Sequence, residues 1–125
     1  MERFHPQKML ELIEKEKVTI HQGVPTMFLK ELELGNPKHY DLSSLRAGIT
    51  GGAPITASQM KRIREELGIH LLQSYGTSET ASLTINGYKD DEAAILETLG
   101  RPIDGVKVKI VDEKRNPLPT GEIGE

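Results

Sequence analysis

At 125 residues the chain has room for one domain with a modest core, not for a large multi-domain enzyme. Sixteen basic and nineteen acidic side chains leave a formal net charge of −3 and alternate along the chain, so no basic stripe exists to hold a nucleic-acid backbone. With no cysteine, disulfides, thiolate metal sites and a cysteine nucleophile are excluded.

Aromatic residues are few, three Tyr, two Phe and no Trp, so the core must be built from Leu, Ile, Val and Met. The opening stretch MERFHPQKMLELIEKEK carries charges on both sides of its short apolar positions, unlike a secretory signal. No stretch approaches the ~20 apolar residues of a membrane span. These features predict a soluble, cytoplasmic protein.

Pro6 opens a first helix in which Met9, Leu10, Leu12 and Ile13 supply an apolar stripe. The β-branched run VTIHQ, Val18 to Gln22, predicts a short buried strand. Pro25 suits the first position of a second helix, with Phe28 and Leu32 one turn apart. Gly35 and Pro37 end it, the glycine as a left-handed cap. LRAGIT, Leu45 to Thr50, reads as another strand running into Gly51-Gly52. Thr56 and Gln59 have capping-box spacing, and Ala57, Met60, Ile63 and Leu67 line one face of a third helix that Gly68 ends. IHLLQS is the next strand.

This rhythm of helix–strand–helix–strand–helix–strand predicts an α/β fold with mainly parallel strands. Ligands of such sheets collect beyond the carboxyl ends of the strands, where the loops TGGAP and SYGTSET both fall. Beyond Ala81 the pattern becomes β-rich. KDDEAAILE is a charged connection with about one helical turn, its Asp90-Asp91 pair solvated. GVKVKIVDE, Gly105 to Glu113, alternates with period two and predicts a half-buried strand.

GITGGAPIT, Gly48 to Thr56, lets a planar or charged ligand approach the backbone closely, although a tight strand-to-helix connection would use the same residues. It has neither the Lys-Ser/Thr of a Walker loop nor dinucleotide-fingerprint spacing. In SYGTSET, the hydroxyls of Thr77, Ser78 and Thr80 suit either helix capping or phosphate binding. Glu79 suits either a first helical turn or a metal, and Tyr75 offers a face to a base. A lone carboxylate matches magnesium, which completes its shell with water and substrate phosphates. His5, His21, His39 and His70 show no metal-ligand or triad spacing and read as surface or locally satisfied residues. No serine has the G-x-S-x-G context of a hydrolase nucleophile.

Four motifs in order resemble the AMP-forming acyl-CoA synthetases of the adenylate-forming enzymes, over nearly the whole chain. GVPTMF, Gly23 to Phe28, resembles a V-P-T corner. DLSSLRAGITGGAPI resembles the segment leading to G-G-A-P, and QSYGTSET the Y-G-x-[ST]-E motif. LGRPIDGVKVKIVDE with LPTGEIGE resembles the G-x-P stretch, its following strand and the start of G-E-[IL]. The resemblance implies that Mg2+ and ATP convert a carboxylic acid to an acyl-adenylate, whose acyl group then passes to CoA. Carried over by position, Gly52, Ala53 and Pro54 would lie against the adenine, with Gln73, Ser74 and Tyr75 as the other wall and Thr77 beside them. Gly76 would sit near the acyl carboxylate, Ser78 would donate to phosphate, and Glu79 would bind Mg2+. Val24, Pro25, Gly51, Gly76 and Ala81 would border the acyl group. Ser78 stands where the family more often has Thr, and Ser74 where it often has Gly; neither change removes a chemical role.

The family's lysine-bearing phosphate loop, ribose-binding aspartate and C-terminal lysine domain have no counterpart in this stretch. Residues 1–125 are thus expected to be an interior part of the large N-terminal AMP-binding domain, inactive alone and prone to self-association through exposed apolar surface. Two other readings are an amino-acid adenylation module of a peptide synthetase, which typically has Pro where this chain has Thr77, and a non-catalytic nucleotide-binding domain.

Overall fold

The computed structural model describes residues 3–125. Helix α1 (Pro6–Glu16) starts on its proline as expected and buries Leu10 and Ile13, while Leu12 lies on the exposed side. Strand β1 (Ile20–Gly23) leads through Val24 into α2 (Pro25–Lys30), which continues as a π-helical turn, Glu31–Gly35. The left-handed cap there is Asn36, at φ 54°, rather than Gly35. A 3-10 turn, Pro37–His39, carries the chain to β2 (Ala47–Thr50).

Helix α3 (Ala57–Leu67) has the anticipated capping box: the Gln59 N–H donates to the Thr56 hydroxyl, and the Gln59 side chain accepts from the Thr56 N–H. Met60, Ile63 and Leu67 are buried, Ala57 is exposed, and Gly68 closes the helix in the left-handed region. Strand β3 (His70–Thr77) is longer than its apolar run, because it absorbs the start of the SYGTSET segment. Then come β4 (Ala81–Ile85), α4 (Glu92–Glu97) and the two-residue β5 (Arg101–Pro102).

The five strands form one sheet in the order β1-β2-β3-β4-β5. The first three are parallel, with Ile20, Ala47 and His70 in register; β3–β4 and β4–β5 are antiparallel. A monotonic parallel order with right-handed crossovers sends successive helices to the same face, and α2 does pack against α3. Between helices and sheet lies the core of Leu10, Ile13, Phe28, Leu32, Met60, Ile63, Leu67 and Leu71, joined by Ile95 of α4.

The expectations for two segments fail. In β1 the strand begins two residues later than its β-branched run, and its buried residue is His21, so by alternation Ile20 lies on the other face and is exposed. Residues 105–113 form no strand apart from an isolated bridge of Val111 to Pro117, and Val108 and Ile110 are exposed. Alternation specifies which side chains share a face, but a strand also needs a neighbour for its N–H and C=O groups. Among the described residues only the last of this run find one: Val111 exchanges both backbone bonds with Glu125, the Ile110 carbonyl accepts from Leu118 N–H, and the Asp112 N–H donates to the Asn116 carbonyl. No helix of the described residues is long and apolar enough to cross a membrane.

Replacing Thr56 with Ala removes an N-cap and is expected to lower the unfolding free energy by about 1 kcal/mol. Urea denaturation would show this as a reduced midpoint at unchanged slope; an unmoved midpoint would mean that the cap contributes nothing.

Candidate functional site

Both unusual loops leave the sheet at its carboxyl edge. Strand β2 ends at the buried Thr50, and the chain then passes so close to β3 that a Cβ on Gly51 would collide with the Ser74 carbonyl. Residues 52–55 continue to the capped start of α3 and form one side of a cavity of about 500 Å³. The opposite side is Gln73, Ser74, Tyr75 and Gly76 of β3, and the end wall is Leu96, Glu97, Thr98 and Leu99. Tyr75 is 47% exposed, leaving its ring free to cover a flat group. The cavity therefore joins Gly52, Ala53, Pro54, Gln73, Ser74 and Tyr75, the six residues expected against the adenine, together with Gly76, expected near the acyl carboxylate; Thr77 does not line it.

Asn86, just past β4, fixes the end wall. Its side-chain oxygen accepts from the Gln73 N–H at 2.8 Å, and its amide nitrogen donates to the carbonyls of Ala94 (3.2 Å) and Thr98 (3.3 Å). The Gln73 amide donates to the Ile95 carbonyl at 3.1 Å. The acidic pair is also structural. Asp91 caps α4 by accepting from Ala94 N–H at 2.8 Å, while Asp90 accepts from Gly87 N–H and pairs with Arg101.

The run Thr77–Ala81 is a β-hairpin turn, not the helix start that its hydroxyls and acid also fit. Thr80 N–H bonds to the Thr77 carbonyl, the Thr77 N–H to the Thr80 hydroxyl, and the two hydroxyls pair at 3.0 Å. Ala81 adopts φ 56°, a conformation that costs a side-chain-bearing residue about 1–2 kcal/mol. Thr77 opposes it across the hairpin; Gly76 pairs with Ser82, and a Cβ there would run into the Ala81 carbonyl. Ser78 and Glu79 stand exposed at the tip and line neither cavity. Hydrogen bonds from the Glu79 N–H and the Thr77 hydroxyl hold the Glu79 carboxyl below the usual glutamate range. No group of three or more His, Cys, Asp or Glu side chains suited to a metal occurs among the described residues.

A second cavity, of about 450 Å³, lies on the other side of the same wall. Gln22, Ile49 and Leu72 are in register, and Ser74 and its partner Ile85 share their face of the sheet. Gln22, Ile49, Ser74 and Ile85 line this cavity together with Gly23, Val24 and Met27 on one side and Thr77, Ala81 and Ser82 on the other. Ser74 and Ser82 pair their hydroxyls at 2.9 Å. Of the anticipated acyl-bordering residues, Val24, Gly51, Gly76 and Ala81 line it, while Pro25 is buried at the start of α2 and does not. Gly52, Ser74 and Gly76 line both cavities. Sequence reasoning missed Gln22, Met27, Ile49, Ser82 and Ile85; the period-two pattern of the strands would have found Gln22 and Ile49.

The family model described as AMP-binding enzyme matches residues 1–125. The chain belongs to the AMP-binding enzyme family. Its relatives include the acyl-CoA ligase sidI of Aspergillus fumigatus, 39% identical over 126 residues, spanning 99% of this chain and 21% of that protein. The vibriobactin-specific 2,3-dihydroxybenzoate-AMP ligase of Vibrio cholerae is 35% identical over 121 residues, 95% of this chain and 22% of that protein. Among solved structures, the amide bond synthetase McbA of Marinactinospora thermotolerans superposes with a TM-score of 0.87 at 36% identity, covering 100% of this chain and 26% of that one. The chain thus spans about a fifth of the length of the curated relatives it matches. The family resemblance and the α/β fold class stand, and the family's named members here differ in what they join to the acid.

Because the Thr77 hydroxyl is, after the Glu79 N–H, a cause of the lowered Glu79 pKa, Thr77→Val is expected to raise the Glu79 titration midpoint towards the ordinary glutamate value. In the native protein the carboxylate keeps its charge until the pH falls through its depressed pKa; in the variant the charge is lost at higher pH. Carboxyl-carbon NMR titration measures this, and coincident curves would remove the Thr77 contact as a cause.

Proposed function

We propose that these residues supply the adenine-facing wall and one side of the acyl pocket of an acid–CoA ligase. The observation that supports this most is the shared wall: two cavities meet at Gly52, Ser74 and Gly76. A nucleotide in the first and an acid in the second would place the α-phosphate and the carboxylate side by side there. A carboxylate oxygen attacks the α-phosphorus, the bond to the pyrophosphate oxygen breaks, and an acyl-adenylate forms. The thiol sulfur of CoA then attacks the acyl carbonyl and AMP leaves. Phosphoryl transfer needs alignment and charge neutralisation more than a protein base, which fits a site whose protein groups are backbone, hydroxyls and one carboxylate.

In this reading Gly52, Ala53 and Pro54 face one side of the adenine, Gln73, Ser74 and Tyr75 the other, and Ser78 donates to phosphate. The exposed, ionised Glu79 suits Mg2+, which takes few protein carboxylates; when bound, the ion would offset phosphate charge. The remaining walls, among them the phosphate loop and the lysine domain, are placed in the rest of a longer protein. Fatty or other acyl acids are the proposed substrates. The presence of Thr77 rather than Pro favours an acyl-CoA ligase over an amino-acid adenylation module.

The full-length protein carrying this chain should catalyse acid-dependent exchange of labelled pyrophosphate into ATP, and Glu79→Gln should slow it by roughly 10²–10³-fold. Residues 1–125 alone should give none. Undiminished exchange by the Glu79→Gln variant at limiting Mg2+ would take Glu79 out of the metal role. Acyl transfer to CoA against amines and carrier-protein thiols then separates the ligase from its amide-forming relatives.

A further inference from the structure

We infer that the buried His21–Glu31 pair is a positioning element that sets the shape of the second cavity and thereby which acid is accepted. This rests on reading that cavity as the acyl pocket. His21 Nε2 lies 3.0 Å from both carboxylate oxygens of Glu31. The side chains are 5% and 0% exposed, and the imidazole packs on Phe28 with ring centroids 4.6 Å apart.

The pair spans the strand-to-helix corner that builds one side of the cavity. Gln22, Gly23 and Val24, the residues immediately after His21, line the cavity, and so does Met27, one helical turn before Glu31 on the continuous α2 and π segment. One contact therefore closes the loop strand–corner–helix behind the lining residues. Two apolar side chains of similar volume would fill the same space without burying an acid and a base. Their contact would be non-directional, whereas a donor held between two carboxylate oxygens fixes an angle. A change in the angle between β1 and α2 would move Val24 and Met27 relative to Ile49 and Ser82 on the facing walls. Glu31 also opens the π turn, a feature that concentrates at functional sites.

The test uses the full-length protein and pyrophosphate exchange with a panel of acids of differing chain length and polarity. The double variant His21→Leu/Glu31→Leu strands no buried charge. It is expected to raise the KM for the preferred acid at least about 10-fold and to reorder the panel, with the KM for ATP within about 2-fold. Glu31→Gln, which keeps one of the two acceptors for His21, is expected to keep the native order of acids with a KM between those of the native protein and the double variant. If the double variant fails to fold, His21→Gln/Glu31→Gln, a pair of different length, gives the same readout. A purely structural role would lower the active fraction, reducing kcat for every acid at unchanged KM, and that result overturns the inference alone. Absence of acid-dependent exchange in the native protein would overturn the functional reading and this inference with it.

Discussion

The side chain of Asn86 binds three backbone groups, on β3 and at either end of the last turn of α4, and it is only 2% exposed. It sits at the point where the sheet has stopped supplying partners: β3 has finished its parallel pairing with β2 at Gln73 and begins its antiparallel pairing with β4 at Ser74. At that changeover Asn86 accepts from the Gln73 N–H through its side chain and donates its own N–H to the Gln73 carbonyl. Leaving one such buried group unpaired costs about 1–3 kcal/mol, and here several would be orphaned together. The position of α4, and so the end wall of the first cavity, depends on this one amide.

The same changeover explains why there are two cavities rather than one. Side chains on β3 alternate between faces, so Gln73 and Tyr75 look towards the loop after β2 and α4, while Ser74 looks towards Gln22 and Ile49. What separates the cavities is little more than backbone, because Gly52 and Gly76 have no side chain and Ser74 a short one already paired with Ser82. On the proposed reading, so thin a partition would let a nucleotide and an acid meet while each keeps its own pocket. Larger residues at Gly51 or Gly76 would meet the carbonyls of Ser74 and Ala81 and so would push apart the strands that form the partition.

The features legible in the sequence were those with local causes. Pro6 and Pro25 open helices, Thr56 and Gln59 cap one, and the helix–strand rhythm places both Gly-rich and hydroxyl-rich loops at strand ends. The parts that stayed hidden depend on partners far along the chain. The hydroxyls of Thr77 and Thr80 fit a helix cap or a hairpin equally well, and pairing with β4 decides between them. Asn86, in an Asn-Gly pair, has the appearance of a turn residue, and nothing nearby reveals that α4 needs it. The period-two pattern of residues 105–113 marks a potential strand but cannot supply the neighbouring strand, and Val108 and Ile110 stay exposed. Histidine is ambiguous at β1 because its burial is settled by a carboxylate ten positions away.

The hairpin shows how a charge is kept both fixed and available. Its backbone is held by the Thr77 N–H bond to the Thr80 hydroxyl, by the pairing of the two hydroxyls, and by the left-handed turn at Ala81. These contacts leave Ser78 and Glu79 as the groups at the tip that face solvent. Glu79 is kept ionised by donors from its own backbone and from Thr77, rather than by a cation that a ligand would have to displace. A carboxylate stabilised by neutral donors keeps its full charge, and on the proposed reading a tip braced from behind would lose little conformational freedom on binding Mg2+. The hydroxyls of Thr77 and Thr80 thus shape the hairpin that presents Ser78 and Glu79 to solvent.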